Sequence, residues 1–208
     1  SRLALLFTMG GTQAFVGWWM VRSGLEEPAS PHDVPRVSPY RLAAHLTSAF
    51  AIYAVMVWTT LSTAFPKPLS MIVQESGSAT SVSAVRAMSK LRGLVVPFAG
   101  LLSVTALSGA FVAGLDAGHA YNTFPLMGGS LIPEAYWGED GLGNALSVWR
   151  NAFENTASVQ FHHRCLAVTT LLGSAAVWKY GTGMSSLPRS PRLLLHALAV
   201  GTGCQVGV

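Results

Sequence analysis

Four stretches of this chain, Leu3–Val21, Leu42–Pro66, Gly93–Leu115 and Leu193–Val208, contain no Asp, Glu, Lys or Arg. A helix rises about 1.5 Å per residue, so roughly 20 apolar residues cross a hydrocarbon core about 30 Å thick. Inside lipid the backbone must satisfy its own hydrogen bonds, which leaves helices as the simplest spanning element. The first three stretches are long enough, and a further run over about 155–178 is interrupted near its start by His162, His163 and Arg164. The reading is all-α, a polytopic transmembrane helical bundle with spans near 3–22, 41–64, 93–115, 156–179 and 192–208. Composition agrees: 11% of the 208 residues are charged and mean hydropathy is +0.43, whereas soluble domains carry about 25% charge. The last run stops without a polar flank, and Ser1 leads straight into an apolar run. A piece of a longer polytopic protein is therefore expected.

The loops alternate in sign. Residues 65–92 carry Lys67, Arg86, Lys90 and Arg92 against Glu75, and 179–192 carry Lys179, Arg189 and Arg192 with no acid. The charges in residues 23–40 and 115–155 are mostly acidic. The positive-inside rule puts the basic loops on the cytoplasmic or matrix side and the acidic loops outside. Topology thus explains the pI near 9.4, and no nucleic-acid partner is expected. Ser- and Gly-rich residues 74–85 suggest a flexible inner linker, set at 74–92 between halves 1–73 and 93–208. The outer loop 116–154, with Tyr121, Phe124, Tyr136, Trp137 and Trp149, suggests an ordered cap at the water–bilayer boundary. A weak echo between QAFVG at Gln13 and QVGV at Gln205 hints at an internal repeat.

Ionisable side chains at membrane depth are costly and usually pair, line a pathway or hold a cofactor. His45 and His163 each lie about one turn inside an apolar run, on spans that both run from outside to inside. Each imidazole would then sit roughly 5–12 Å below the outer boundary, and neutral imidazole is a standard axial ligand of haem iron. The plain alternative is a histidine hydrogen-bonded between helices. Arg41 precedes His45 by four residues and shares its face, and Arg164 follows His163 directly. Either guanidinium suits an anionic propionate, while Arg41 could equally snorkel to the interface. His162 points to another face and ranks below its neighbour; His32 and His119 read as loop residues, and His196 as lying near headgroups. Cys165 and Cys204 read as small packing residues within helices. Phosphate-loop, zinc-protease and nucleophile-elbow motifs are missing, as is any carboxylate pair in a span.

The blocks GWWMVRSGLEE (17–27), PRVSPYRLAAHL (35–46), LSGAFVAGLDAG (107–118), YNTFPLMG (121–128) and FENTASVQFHHR (153–164) closely resemble the haem A synthase family in its mitochondrial type. The resemblance covers nearly the whole chain in order. It implies an eight-helix protein of two pseudo-symmetric four-helix halves, each presenting two histidines to a haem near the outer face. One half would take haem O as substrate and the other haem B as cofactor. The family oxidises a methyl group of haem O to a formyl group, making haem A for cytochrome oxidase. By motif His45 matches the second histidine of the N-terminal half and His163 the first of the C-terminal half, as iron ligands, with Arg41 and Arg164 beside the haems. The acidic residue implicated in catalysis would precede Ser1, so the catalytic residue is unknown here. Gln160 occupies its equivalent position in the other half. The resemblance further implies a ferredoxin-type electron donor, haem O synthase as supplier, cytochrome oxidase assembly factors and membrane lipid as partners, and leaves room for a homo-oligomer. The location implied is the mitochondrial inner membrane, or the plasma membrane in bacteria. This stretch alone is expected to be inactive.

Two other readings compete. A b-type di-haem carrier would ligate haems with paired histidines and leave them unmodified. A transporter would relay protons through histidines nearer the bilayer centre.

Overall fold

The computed structural model describes residues 1–25, 35–65, 79–139 and 143–206. In chain order the helices are α1 (Arg2–Arg22), α2 (Pro39–Ala64), α3 (Ala79–Gly114), α4 (Val148–Glu154), α5 (Thr156–Thr182) and α6 (Arg189–Val206). Short 3-10 turns lie at Ala117–His119 and Glu134–Tyr136. Each expected span falls on one of the five long helices, giving an all-α membrane bundle. By length and composition, Pro39–Ala64 and Val82–Gly114 can each cross a bilayer. The side chains are arranged accordingly: α1 and α2 contain no buried residue, and Phe7 is 87% exposed and Tyr53 66%. Apolar surface turned outward on this scale suits lipid and would be unfavourable in water.

The chain forms two compact units, Ser1–Thr63 with Ala106–Arg164, and Ala64–Thr105 with Cys165–Val208. In the first unit α1 and α2 run antiparallel. As numbers rise along α1 they fall along α2: Arg2 lies over the Trp58 ring, Gly17 meets His45, and Arg41 reaches the Trp19 carbonyl. The end of α1 meets the start of α2 at Ser23, whose hydroxyl donates to Met20 O and accepts from Ser38 N–H. Pro39 then opens α2, where a missing N–H costs nothing.

The same unit holds the cap. Asn155 starts α5 by accepting from the Ala157 N–H, while its amide donates to the carbonyls of Ala135 and Tyr136 and to Asn151 Oδ1. One asparagine thus satisfies an orphan helix donor and ties down the aromatic loop. Met127 is 2% exposed within the YNTFPLMG turn. Part of the outer loop is thus tied to the start of α5.

In the second unit, Ala87, Leu91, Phe98, Val177, Leu187 and Leu195 form the core. Short polar contacts join its helices: Thr105 to Thr170 at 2.7 Å and Ser174 to Thr202 at 3.0 Å. Such hydroxyl pairs are common between membrane helices.

Two expectations need correction. Residues 79–92, assigned to a flexible linker, are the first turns of α3; residues 74–78 of that linker lie outside the described residues. Ser and Thr are mediocre helix formers, but Ala87 and Leu91 are buried in the core, and that burial outweighs propensity. Cys165 and Cys204 are exposed on their helices rather than packed.

Candidate functional site

His45 lies six residues after the start of α2 and packs against α1. A Cβ at Gly17 would stand 3.0 Å from its Cε1, so only glycine lets the ring approach. Gln13, one turn earlier on the same face of α1, donates from Nε2 to the His45 carbonyl at 3.1 Å and lies 3.2 Å from Nδ1 and 3.4 Å from Nε2. Ser48 fixes the amide by donating to Gln13 Oε1 and also donates to the His45 carbonyl.

His163 lies seven residues after the start of α5 and packs against the end of α3. Ser108 Oγ is 2.7 Å from Nδ1, and a Cβ at Gly109 would stand 3.3 Å from Cε1. Both histidines therefore rest edge-on against a glycine of the preceding long helix, beside a polar side chain. Their helix starts also lie together. Tyr40, second residue of α2, donates to Glu154 Oε1 at 3.1 Å, and Phe111 stacks between Tyr40 and Phe153 with centroids 5.5 and 5.0 Å away. From these joined helix starts each imidazole lies about 10 Å along its own helix.

The arginines are bound to backbone. Arg41 donates to Trp19 O at 2.9 Å, its guanidinium 4.8 Å from the Trp19 ring centroid. Arg164 donates to Thr123 O and Tyr121 O, each at 2.6 Å, anchoring the YNTFPLMG turn to α5. A guanidinium has five N–H donors, so these contacts leave capacity for a carboxylate. Gln160 is 5% exposed, donates to Tyr121 O at 2.9 Å, and has a buried Oε1 with no hydrogen-bond partner.

The remaining histidines separate cleanly. His162 Nε2 pairs with the Tyr136 hydroxyl at 2.9 Å on another face of α5. His196 accepts from the Trp178 indole N–H at 3.0 Å. His119 is exposed in a 3-10 turn, and His32 lies outside the described residues. Outside the spans, Glu154 has its carboxyl held below the ordinary value chiefly by the hydrogen bond from Arg150; burial opposes this, and the Tyr40 hydrogen bond and the Arg150 charge add smaller lowering effects.

Among the described residues no three His, Cys, Asp or Glu side chains gather to hold a metal ion. A porphyrin brings four nitrogens of its own and asks the protein only for axial ligands. Isolated imidazoles therefore fit haem and fit a protein-built metal centre poorly. The fit is better at His163, where Ser108 holds Nδ1 and a metal would meet Nε2, as ligating histidines usually present themselves. At His45 both ring nitrogens face the Gln13 amide, and ligation requires the ring to turn from it.

The cytochrome oxidase assembly protein family, COX15-CtaA, matches over residues 1–208. This chain belongs to the COX15-CtaA family. Heme A synthase COX15 of Arabidopsis thaliana is 50% identical over 177 residues, 85% of this chain and 35% of that protein. Heme A synthase of Rhodospirillum centenum is 41% identical over 210 residues, 99% of this chain and 48% of its own length. A heme A synthase–mitochondrial ferredoxin fusion protein of Schizosaccharomyces pombe is 40% identical over 217 residues, 98% of this chain and 34% of the fusion. The chain thus spans between about a third and a half of these relatives. No solved structure matches it.

In this COX15-CtaA chain, the sequence pointed to His45, His163, Arg41 and Arg164 but missed what holds the rings. Gln13 drew notice only as a repeat marker, and Ser108 and Gly109 only as part of the LSGAFVAGLDAG block. The signal available was spacing: Gln13 and Gly17 are four apart on one face, and Ser108 adjoins Gly109.

Proposed function

We propose that this chain supplies part of the haem-holding core of a haem A synthase, which oxidises a methyl group of haem O to a formyl group for cytochrome oxidase. The observation that carries the reading is His163, with Nδ1 held by Ser108 and its ring edge against Gly109. Haem supplies the redox chemistry when bound. The chain's residues have other tasks. His163 and His45 would hold haem iron, one of them in haem B as cofactor and the other in haem O as substrate. Arg164 and Arg41, each beside its histidine, would offer propionate contacts, while Arg164 holds the YNTFPLMG turn and Arg41 the end of α1. The cap brings aromatic bulk over that end of the helices and limits water there.

α1 and α2 are taken as belonging to one four-helix half, and α3, α5 and α6 to the other. In this arrangement each haem would take a second histidine, and the reaction a catalytic acid, that these 208 residues do not supply. The stretch alone is therefore inactive. Electrons come from a ferredoxin, which the fused relative supports. The location is the mitochondrial inner membrane, or the plasma membrane in a bacterium.

The test is conversion. The full-length protein, supplied with haem O and a ferredoxin reducing system, should yield haem A by mass analysis of extracted haem. His163→Ala or His45→Ala should abolish it. Undiminished conversion in both variants overturns the assignment, and stable haem with no conversion in the wild type points to the electron carrier.

A further inference from the structure

We infer that the second unit carries a binding site for the phosphate headgroup of an anionic phospholipid. A cavity of about 950 Å³ opens between the start of α3 and the end of α5. Arg86, Lys90 and Lys179 line it together with Tyr180, Ser185 and Ser186, and no acidic side chain does so among the described residues. With Ser83, three cations and four hydroxyl-bearing residues line one concavity, which is the chemistry of a phosphodiester site.

Helix length puts the cavity at headgroup level. α3 has 36 residues and is therefore about 54 Å long, well beyond a hydrocarbon core of about 30 Å. The uncharged stretch from Gly93 to Gly114 fills the core. The excess carries Arg86, Lys90 and Arg92, the only charges on the helix. Arg86 and Lys90 are four apart, and like charges at that spacing repel. Snorkelling explains a single long cation at an interface, and the helix dipole favours Lys179 in the last turn of α5. Neither explains why all three line the same cavity, whereas a shared phosphate offsets their repulsion.

A second groove points to a lipid rather than a soluble phosphate. Further round α3, a groove of about 570 Å³ is lined by Met88, Val95, Leu194 and Leu198, and its only polar lining residues are Ser89 and Arg92. An acyl chain fits such a groove, and inorganic phosphate has no use for it.

The test uses the full-length protein in mild detergent, exchanged with phosphatidylglycerol or phosphatidylcholine and examined by native mass spectrometry. Phosphatidylglycerol should be retained in preference. Arg86→Gln, Lys90→Gln and Lys179→Gln should each weaken retention about fivefold, while Arg189→Gln, outside the cavity, should not. The single variants carry the test if the triple variant does not fold, with melting curves as the check. Equal retention of the two lipids, or undiminished retention in all three folded single variants, overturns the proposal. So does displacement of the lipid by inorganic phosphate alone, which would make the ligand a soluble anion.

Discussion

The Tyr40 hydroxyl donates to Glu154 at 3.1 Å and thereby joins the first turn of α2 to the residues just before α5. His45 and His163 lie six and seven residues beyond these two helix starts. Both partners are partly exposed, so Tyr40→Phe should cost about 1 kcal/mol or less. Thermal melting of the full-length protein checks this.

Glu154 also sets a pH dependence. Its folded-state pKa lies below the ordinary 4.5, chiefly through the Arg150 hydrogen bond. Its contribution is therefore present above that value and lost as pH falls through the lower folded value. Glu154→Gln should lower the melting temperature at neutral pH, and the gap to wild type should close in acid below 4.5. A gap of constant size across that window contradicts the assignment.

Gly17 and Gly109 are the close approaches on which the imidazoles rest. At Gly17 a methyl group would stand 3.0 Å from the His45 ring, so Gly17→Ala should destabilise by about 1–3 kcal/mol through overpacking. Gly109→Ala, whose methyl group would stand 3.3 Å from the His163 ring, should cost less. Denaturation midpoints measured together with haem content per protein decide the order.

The two polar partners act in opposite senses. Ser108 orients His163, so Ser108→Ala should weaken haem binding there about 10- to 100-fold. Gln13 competes for both nitrogens of His45, so Gln13→Ala should leave haem loading at that site unchanged or raise it. Haem titrations of each variant in the full-length protein give the comparison.

The five long helices were legible because charge-free runs in lipid leave the backbone few alternatives. The early start of α3 was not, since Ser and Thr over 78–83 argue locally for a loop and only the burial of Ala87 and Leu91 overrides them. At the site, His45 and His163 stood out because an imidazole in an apolar run is costly. Gln13 and Ser108 stayed hidden because a neutral polar residue in a helix looks like packing until its partner is placed opposite. Arg164 was legible as a cation near the site. Its two carbonyl partners in the YNTFPLMG turn depend on a loop fold that periodicity does not encode.

The most direct test replaces each imidazole with a different axial ligand. Full-length His45→Met and His163→Met proteins, loaded with haem, should each show the low-temperature absorption and electron paramagnetic resonance signature of altered ligation at one haem, with the other haem unchanged. Spectra identical to wild type in both variants would contradict coordination by these two residues.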